Sequence, residues 1–300
     1  MGKASFHGLL VLDKPGGMTS RDAVNRAMGW FPKRTKLGHT GTLDPLATGV
    51  LVLTVGHATR LAEYVQRMAK TYRTTIRFGA VSDTDDADGE VTPRQVEQPP
   101  TRAELEQALA NFVGTIEQVP PAISAIKVGG RRSCALVRKG EEVELQARSV
   151  TVHRIAVLAY DYPLLELEVH CGKGTYIRSL ARDLGARLGC GGYVEILRRT
   201  QVGPFRADDG VGLYIDPPEA RARLQPLHQA VVEVPQITLG DALLGPMQHG
   251  KLLPLDRFPP TLPATGEVAV FSAAGQLALI AEIDDKRRLL RPTKVFVTRG

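Results

Sequence analysis

Three hydrophobic patterns alternate along this chain: apolar positions three or four residues apart, apolar positions two apart, and short unbroken apolar runs. Thr19 and Asp22 form a capping box, and Val24 and Met28 recur at i, i+4, which predicts a short helix ending near Gly29 and Trp30. A second capping box, Thr101 with Glu104, precedes Leu105, Ala108, Leu109 and Phe112, and Gly114 stops the helix they predict. Ile177, Leu180, Ala181, Leu184 and Leu188 keep helical spacing up to Gly189, and a further helix is expected over 59–67. Tyr72, Thr74, Ile76 and Phe78 alternate with polar neighbours, as do Leu165, Leu167, Val169 and Cys171, so both segments read as half-buried strands. Residues 50–55 are apolar and β-branched enough for a buried strand.

Two polar stretches interrupt these elements. Trp30 to Gly41, with Lys33, Arg34, Lys36 and His39 among turn formers, reads as an exposed loop. Asp83, Asp85, Asp86, Asp88 and Glu90 crowd a Gly-containing turn that lacks the EF-hand spacing, so a solvated loop is expected. An Arg-containing helix candidate follows Pro217 and Pro218, and the composition shifts at Pro226 and Pro235, which sets a domain boundary near residue 236. Beyond it come a Pro-rich loop, Phe258 to Pro263, and strand candidates at 267–272, 275–283 and 293–298. So short a module is near the lower limit for an independent core and is expected to lean on the large domain.

Composition narrows the class. Over 300 residues, 43% are hydrophobic and 23% charged, a globular balance that excludes wholesale disorder. The longest apolar run, Ile155 to Tyr160, is far too short to span a bilayer. The stretch Leu9 to Leu12 ends at Asp13 and Lys14, too early for a secretory signal, so the chain reads as cytoplasmic. Cys134, Cys171 and Cys190 form no CxxC pair and are expected as reduced, buried thiols. Lys and Arg number 38 against 32 Asp and Glu, a net charge of +6, which suits an anionic partner.

Several chemistries find no signature. Gly172 to Thr175 lies between a strand and a helix, but Leu167 and Ile177 stand where a Walker loop and a dinucleotide fingerprint need glycine, so an ordinary tight turn is expected. His39 has no second His or Cys at ligand spacing, and no GxSxG elbow is present. Asp44 is the carboxylate to weigh, within Gly38-His-Thr-Gly-Thr-Leu-Asp-Pro-Leu-Ala-Thr-Gly49. Taken alone, Asp44 followed by Pro45 looks like an N-cap and N1 pair.

Taken whole, that string reads differently. Together with Leu12-Asp-Lys-Pro-Gly-Gly-Met-Thr-Ser20, Lys70-Thr-Tyr72 and Gly172-Lys-Gly-Thr-Tyr-Ile-Arg178, it resembles the TruB family of bacterial tRNA pseudouridine-55 synthases, in order from residue 8 to about 205. Pro120 to Lys127 and Leu197-Arg-Arg199 are similar to family segments as well. The resemblance implies an α+β fold: a mixed, largely antiparallel sheet flanked by helices and loops, with a small C-terminal β (PUA-like) domain. It implies a catalytic domain over 1–236, including an RNA-gripping thumb at about 124–150, and the small domain over 237–300.

It also implies the chemistry. The catalytic group is Asp44, the substrate is uridine 55 in the T-loop of tRNA, and neither cofactor nor metal is expected. Arg178 matches the arginine that pairs with the aspartate and keeps it ionised. Tyr72 matches the tyrosine that stacks on the base, Tyr176 its neighbour, and Leu197 an apolar wall. His39 matches the residue that fills the space left by the flipped base. Lys33, Arg34 and Lys36 would meet phosphates, and Lys14 would shape the floor of the site. Across 127–148, six basic residues, including Lys127, Arg131 and Arg132, face three acidic ones, as suits the thumb; Ile123 and Cys134 replace aromatic residues common in relatives. The expected partner is the T-arm of tRNA, with no protein partner and a monomeric enzyme. Two other readings use the same residues: a non-catalytic tRNA-binding or RNA-folding module, and an aspartyl hydrolase or phosphotransferase.

Overall fold

Both capping boxes form and start helices. The computed structural model describes residues 5–124, 126–128, 130–137, 141, 143–258 and 262–296, and of residues 127, 128, 132, 134 and 135 the backbone alone. In chain order the first part gives β1 (Gly8–Lys14), α1 (Ser20–Ala27), β2 (Leu37–His39), β3 (Thr48–Val55), α2 (Ala62–Arg67) and β4 (Lys70–Phe78). The hairpin β5 (Ala80–Ser82) and β6 (Val91–Pro93), α3 (Arg102–Ala110) and β7 (Gly114–Gln118) follow. Next come β8 (Lys127–Val128), β9 (Arg131–Arg132), α4 (Ser133–Val137), β10 (Arg148–Asp161), β11 (Leu164–Cys171), α5 (Ile177–Arg187), β12 (Gly192–Val202), β13 (Phe205–Arg206) and α6 (Pro217–Ala222). The last part holds β14 (Gln236–Leu239), α7 (Asp241–Gln248), β15 (Leu253–Pro254), β16 (Gly266–Ser272), β17 (Leu277–Asp284) and β18 (Leu289–Val295).

The main sheet runs β1-β3-β12-β4-β11-β10-β7, with β2 beside β3 and β13 beside β12. Its pairings are antiparallel except β3 with β12, so the sheet is mixed and largely antiparallel. The alternation read in 72–78 is observed: Tyr72, Thr74, Ile76 and Phe78 of β4 turn into the core under α5, while Arg73 is exposed. β3 is buried from Gly49 onward because both of its faces are covered, one by the α1 and α5 layer and the other by α2 and the C-terminal sheet.

The C-terminal strands form a second sheet, β14-β16-β17-β18-β15. Its Ala269, Phe271, Ile280 and Phe296 share a core with Leu9, Val11, Val50 and Val52, so the module leans on the main sheet as its size suggested. Tyr64 of α2 donates to Glu267 (2.7 Å) and Lys294 to Tyr64 (2.9 Å), which fixes the contact at its edge.

Some elements depart from the sequence reading. Leu37–His39 is a strand, not loop, because three residues too few to show a period pair with Leu53–Val55; Trp30 and Phe31 are buried. β10 spans fourteen residues with register shifts near Val152 and Val157, which explains why its sequence shows no alternation. α7 forms despite Pro246, with Leu244 and Met247 buried. Strands replace the candidates at 267–272, 275–283 and 293–298 with shifted ends; residues 297 and 298, and most of the Pro-rich loop, lie outside the described residues. Cys171 and Cys190 are buried free thiols, and the Cys134 side chain lies outside the described ones.

Two buried features make predictions. Gly49 has φ +97°, and a Cβ there would stand 2.1 Å from the Arg199 carbonyl oxygen. Gly49→Ala should therefore lose about 2–4 kcal/mol in urea denaturation, from backbone strain and the forced opening of β3 from β12. Lys14, fully buried at the end of β1, has its pKa lowered from 10.5 to about 8, chiefly by burial, with Asp44 pulling it back up. A folded value below the unfolded one means the cost of burying the charge is fully present below about pH 8 and is relieved as pH rises toward 10.5. The stability of the wild type relative to Lys14→Met should thus grow by about 1–3 kcal/mol between pH 7 and 10, and a constant difference would contradict this.

Candidate active site

The loop 40–47 enters the core from β2 and leaves it as β3. Asp44 opens a turn closed by the Ala47 N–H on its carbonyl (3.1 Å), and a strand rather than a helix follows. The N-cap reading of Asp44-Pro45 therefore fails: Pro45 sits in a turn, where its fixed φ is equally at home. The N–H of Leu46, which a capping Asp44 would have bound, donates instead to Asp88 Oδ2 (3.1 Å).

Neighbours from distant parts of the chain hold this loop still. Ser20 Oγ donates to the Leu43 carbonyl (3.0 Å) and accepts from its N–H (2.8 Å). Lys14 Nζ donates to the carbonyls of Pro15 (2.8 Å), Met18 (2.9 Å) and Pro45 (3.3 Å). Arg199 donates to the carbonyls of Val50 (2.8 Å), Gly41 (3.2 Å) and Thr42 (3.4 Å). The Asp44 carboxylate is thus left for another partner.

That partner is Arg178, in the first turn of α5. Its Nε lies 3.0 Å from Asp44 Oδ2, with the N–H turned off the oxygen, so the contact is an ion pair more than a hydrogen bond. Nη1 donates to the Thr84 carbonyl (2.8 Å) and lies 3.3 Å from Asp86 Oδ2, and Nη2 donates to the Ile123 carbonyl (3.0 Å). The Arg178 side chain is 4% exposed and that of Asp44 34%, so the pair sits at a boundary: cation inside, carboxylate facing out. Burial pushes the Asp86 carboxyl up from its ordinary range, opposed by the Thr84 hydroxyl and by Arg178.

The acidic turn at 83–90 is accordingly only partly solvated: Asp83, Asp88 and Glu90 are exposed, whereas Asp85 and Asp86 are drawn inward. Asp86 is buried against Arg178, Asp85 pairs with Arg182 (2.9 Å), Asp88 binds the Leu46 N–H, and the turn is laid along Val194 of β12. Helix spacing in α5 made Arg178 and Arg182 neighbours, and the acidic run supplied their partners.

Asp44 and Arg178 open onto a cleft of about 280 Å³ that Tyr72, Tyr176, Leu197, Lys70 and Arg199 also line. Tyr72 and Arg199 are paired in register across β4 and β12, and Leu197, two residues from Arg199, shares its face. Burial raises the pKa of Tyr72 and of Tyr176, so both rings are neutral phenols at neutral pH. Lys70, donating to the Gln66 (2.6 Å) and Met68 (2.5 Å) carbonyls, has its pKa lowered to about 8 by burial and then by Arg199. A larger depression on the opposite sheet face holds Arg73, Arg154 and Arg198, already paired with Glu168 and Asp13.

Five of the residues singled out by sequence, Asp44, Arg178, Tyr72, Tyr176 and Leu197, thus surround one cleft. Lys14 does not line it and acts from beneath, on the loop. His39 stands on β2, one residue before Thr40, which does line it. Lys33, Arg34 and Lys36 are exposed on the turn before β2. Arg131 is exposed and paired with Glu141 (2.9 Å); the side chains of Lys127 and Arg132 lie outside the described ones. Sequence reasoning did not single out Arg199, Lys70 or Asp86 as contributors: Arg199 and Lys70 lie outside the strands it predicted, and for Asp86 the acidic run was the available signal.

Comparison with known proteins gives the family. Residues 30–177 match the family described as TruB family pseudouridylate synthase, N-terminal domain, and residues 178–215 match the tRNA pseudouridylate synthase B C-terminal domain. The tRNA pseudouridine synthase B of Xanthomonas oryzae pv. oryzae is 42% identical over 297 residues, covering 97% of this chain and 94% of its own. That of Ruegeria sp. is 46% identical over 236 residues, 77% of this chain and 78% of its own. Among solved structures, a chain of a Cbf5-Nop10-Gar1 complex superposes with a TM-score of 0.75 at 25% identity, covering 97% of this chain and 85% of that one. The match joins sequence along nearly the whole length to one shared architecture, and the chain belongs to the TruB family of pseudouridylate synthases.

Proposed function

We propose that this protein isomerises uridine 55 in the T-loop of tRNA to pseudouridine, with Asp44 as the acting carboxylate. The observation that carries the reading is the Asp44–Arg178 ion pair at the mouth of a cleft walled by neutral aromatic rings. The reaction breaks the N1–C1′ bond, turns the uracil over and joins its C5 to C1′; C5 loses its hydrogen as a proton and N1 gains one, so the composition is unchanged and no electrons are exchanged with any other molecule. An ionised carboxylate beside the sugar serves either as nucleophile at C1′ or as base toward a sugar proton, and each route divides one hard step in two.

The remaining residues fall into roles around it. Arg178 keeps the carboxylate ionised, Tyr72 stacks on the uracil, and Tyr176 and Leu197 close the sides. The base reaches them only by flipping out of the T-loop, at a cost of a few kcal/mol, and His39, next in sequence to the cleft-lining Thr40, is the residue that enters the space it leaves. The exposed Lys33, Arg34, Lys36 and Arg131, with Lys127 and Arg132, meet the phosphates. In this reading the enzyme engages the T-arm alone, as a cytoplasmic monomer.

Asp44→Asn should lower the single-turnover rate more than about a thousandfold, read as tritium released from a transcript carrying 5-tritiated uridine, while the Kd for tRNA stays within about threefold. Full turnover by the Asn variant, or product from a transcript lacking uridine 55, would sink the reading. Asp86→Asn leaves Arg178 with one carboxylate instead of two; the rate should fall about 10- to 100-fold and the melting temperature should drop, since breaking a buried pair costs about 3–5 kcal/mol.

A further inference from the structure

Gln118 is the last residue of β7 and pairs in register with Arg148, the first residue of β10. The chain leaves the main sheet at the first and returns at the second, so Gln118 stands at the root of the segment 119–147. A glutamine here would ordinarily reach for solvent. Instead Gln118 is 2% exposed and grips the backbone of Tyr176 twice: its Nε2 donates to the Tyr176 carbonyl (3.0 Å) and its Oε1 accepts the Tyr176 N–H (2.8 Å). A side-chain amide thereby stands in for a strand partner at the residue just before α5, where no side-chain cap is made.

Three more bonds run between the same two segments. Ser179 Oγ and Arg182 Nη2 both donate to the Val119 carbonyl (2.8 Å each), and Arg178 Nη2 donates to that of Ile123 (3.0 Å). Further out, Ser133 of α4 donates through its hydroxyl to the Ala122 carbonyl and through its N–H to that of Ile126 (2.7 Å). The root of the segment is thus stitched to the one turn of helix that carries both Tyr176, a wall of the cleft, and Arg178, the partner of Asp44.

We infer that Gln118 is a positioning residue for the cleft: by holding both backbone groups of Tyr176 it sets the aromatic wall beside Asp44. The inference rests on the function proposed above. It makes Gln118 matter for the chemical step rather than for tRNA affinity, because the amide touches neither the cleft nor the surface. It also makes the effect pass through Tyr176.

A double-mutant cycle tests both points on the full-length protein with a tRNA transcript. Gln118→Met keeps the shape and removes both bonds; Gln118→Glu keeps the acceptor and loses the donor, and serves if the first fails to fold. Either should lower the saturating single-turnover rate about 10- to 100-fold, the weight of one or two buried hydrogen bonds left unmade, with Kd changed less than about threefold. In a Tyr176→Leu background the same substitution should change the rate by less than about threefold, since the side chain it positions is gone. The inference is overturned if the rate per folded molecule is unchanged, if the loss lies in Kd, or if the full factor persists on top of Tyr176→Leu. Asp44→Asn measured alongside separates the failures: turnover by that variant sinks the proposed function, whereas a dead Asp44→Asn beside unaffected Gln118 variants sinks this inference alone.

Discussion

A guanidinium buried between two carboxylates is the constraint on which the rest depends. Arg178 has been taken out of water, and a buried cation is tolerated only where nearby carboxylates and carbonyls compensate its charge. Its partners come from three separate stretches: Asp44 from the loop before β3, Thr84 and Asp86 from the acidic turn, and Ile123 from the segment after β7. None of these is near the others in sequence. Each must be in place for the charge to be paid in full, so one side chain specifies where three loops meet.

Cations recur around the same loop for the same reason. Arg199 grips the carbonyls of Gly41 and Thr42 from the sheet side, and Lys14 grips that of Pro45 from below. Carbonyl oxygens that a loop would otherwise leave unpaired in the core are satisfied by long cationic side chains, and the positive charge thereby surrounds Asp44. Burial works against those charges, as the lowered pKa values of Lys14 and Lys70 show. The carboxylate and its neighbours stabilise one another: the loop needs the cations for its carbonyls, and the cations benefit from the acid they enclose.

Much of this was legible before any coordinates. Capping boxes at Thr19 and Thr101 start helices where they stand, because the signal is local and each partner is three residues away. The alternation in 72–78 holds because one face of β4 meets α5 and the other meets solvent. The short strand Leu37–His39 was not legible, since only the edge of β3 makes it one. Nor was the acidic run: five carboxylates in a turn look solvated unless the arginines that enter among them are known, and Arg178 and Arg182 lie some ninety residues away.

The sequence by itself determined the element types, the candidate residues and, through four motifs in order, the family they belong to. Period, capping and motif are properties of neighbours along the chain, and they survive without a fold. Tertiary structure alone decided that Asp44 caps nothing, that Asp86 is buried against Arg178, that Gln118 bonds the backbone of Tyr176, and that Lys14 supports the loop from beneath. Those outcomes turn on which donors meet which acceptors once water is excluded, a pairing between positions that no local pattern records.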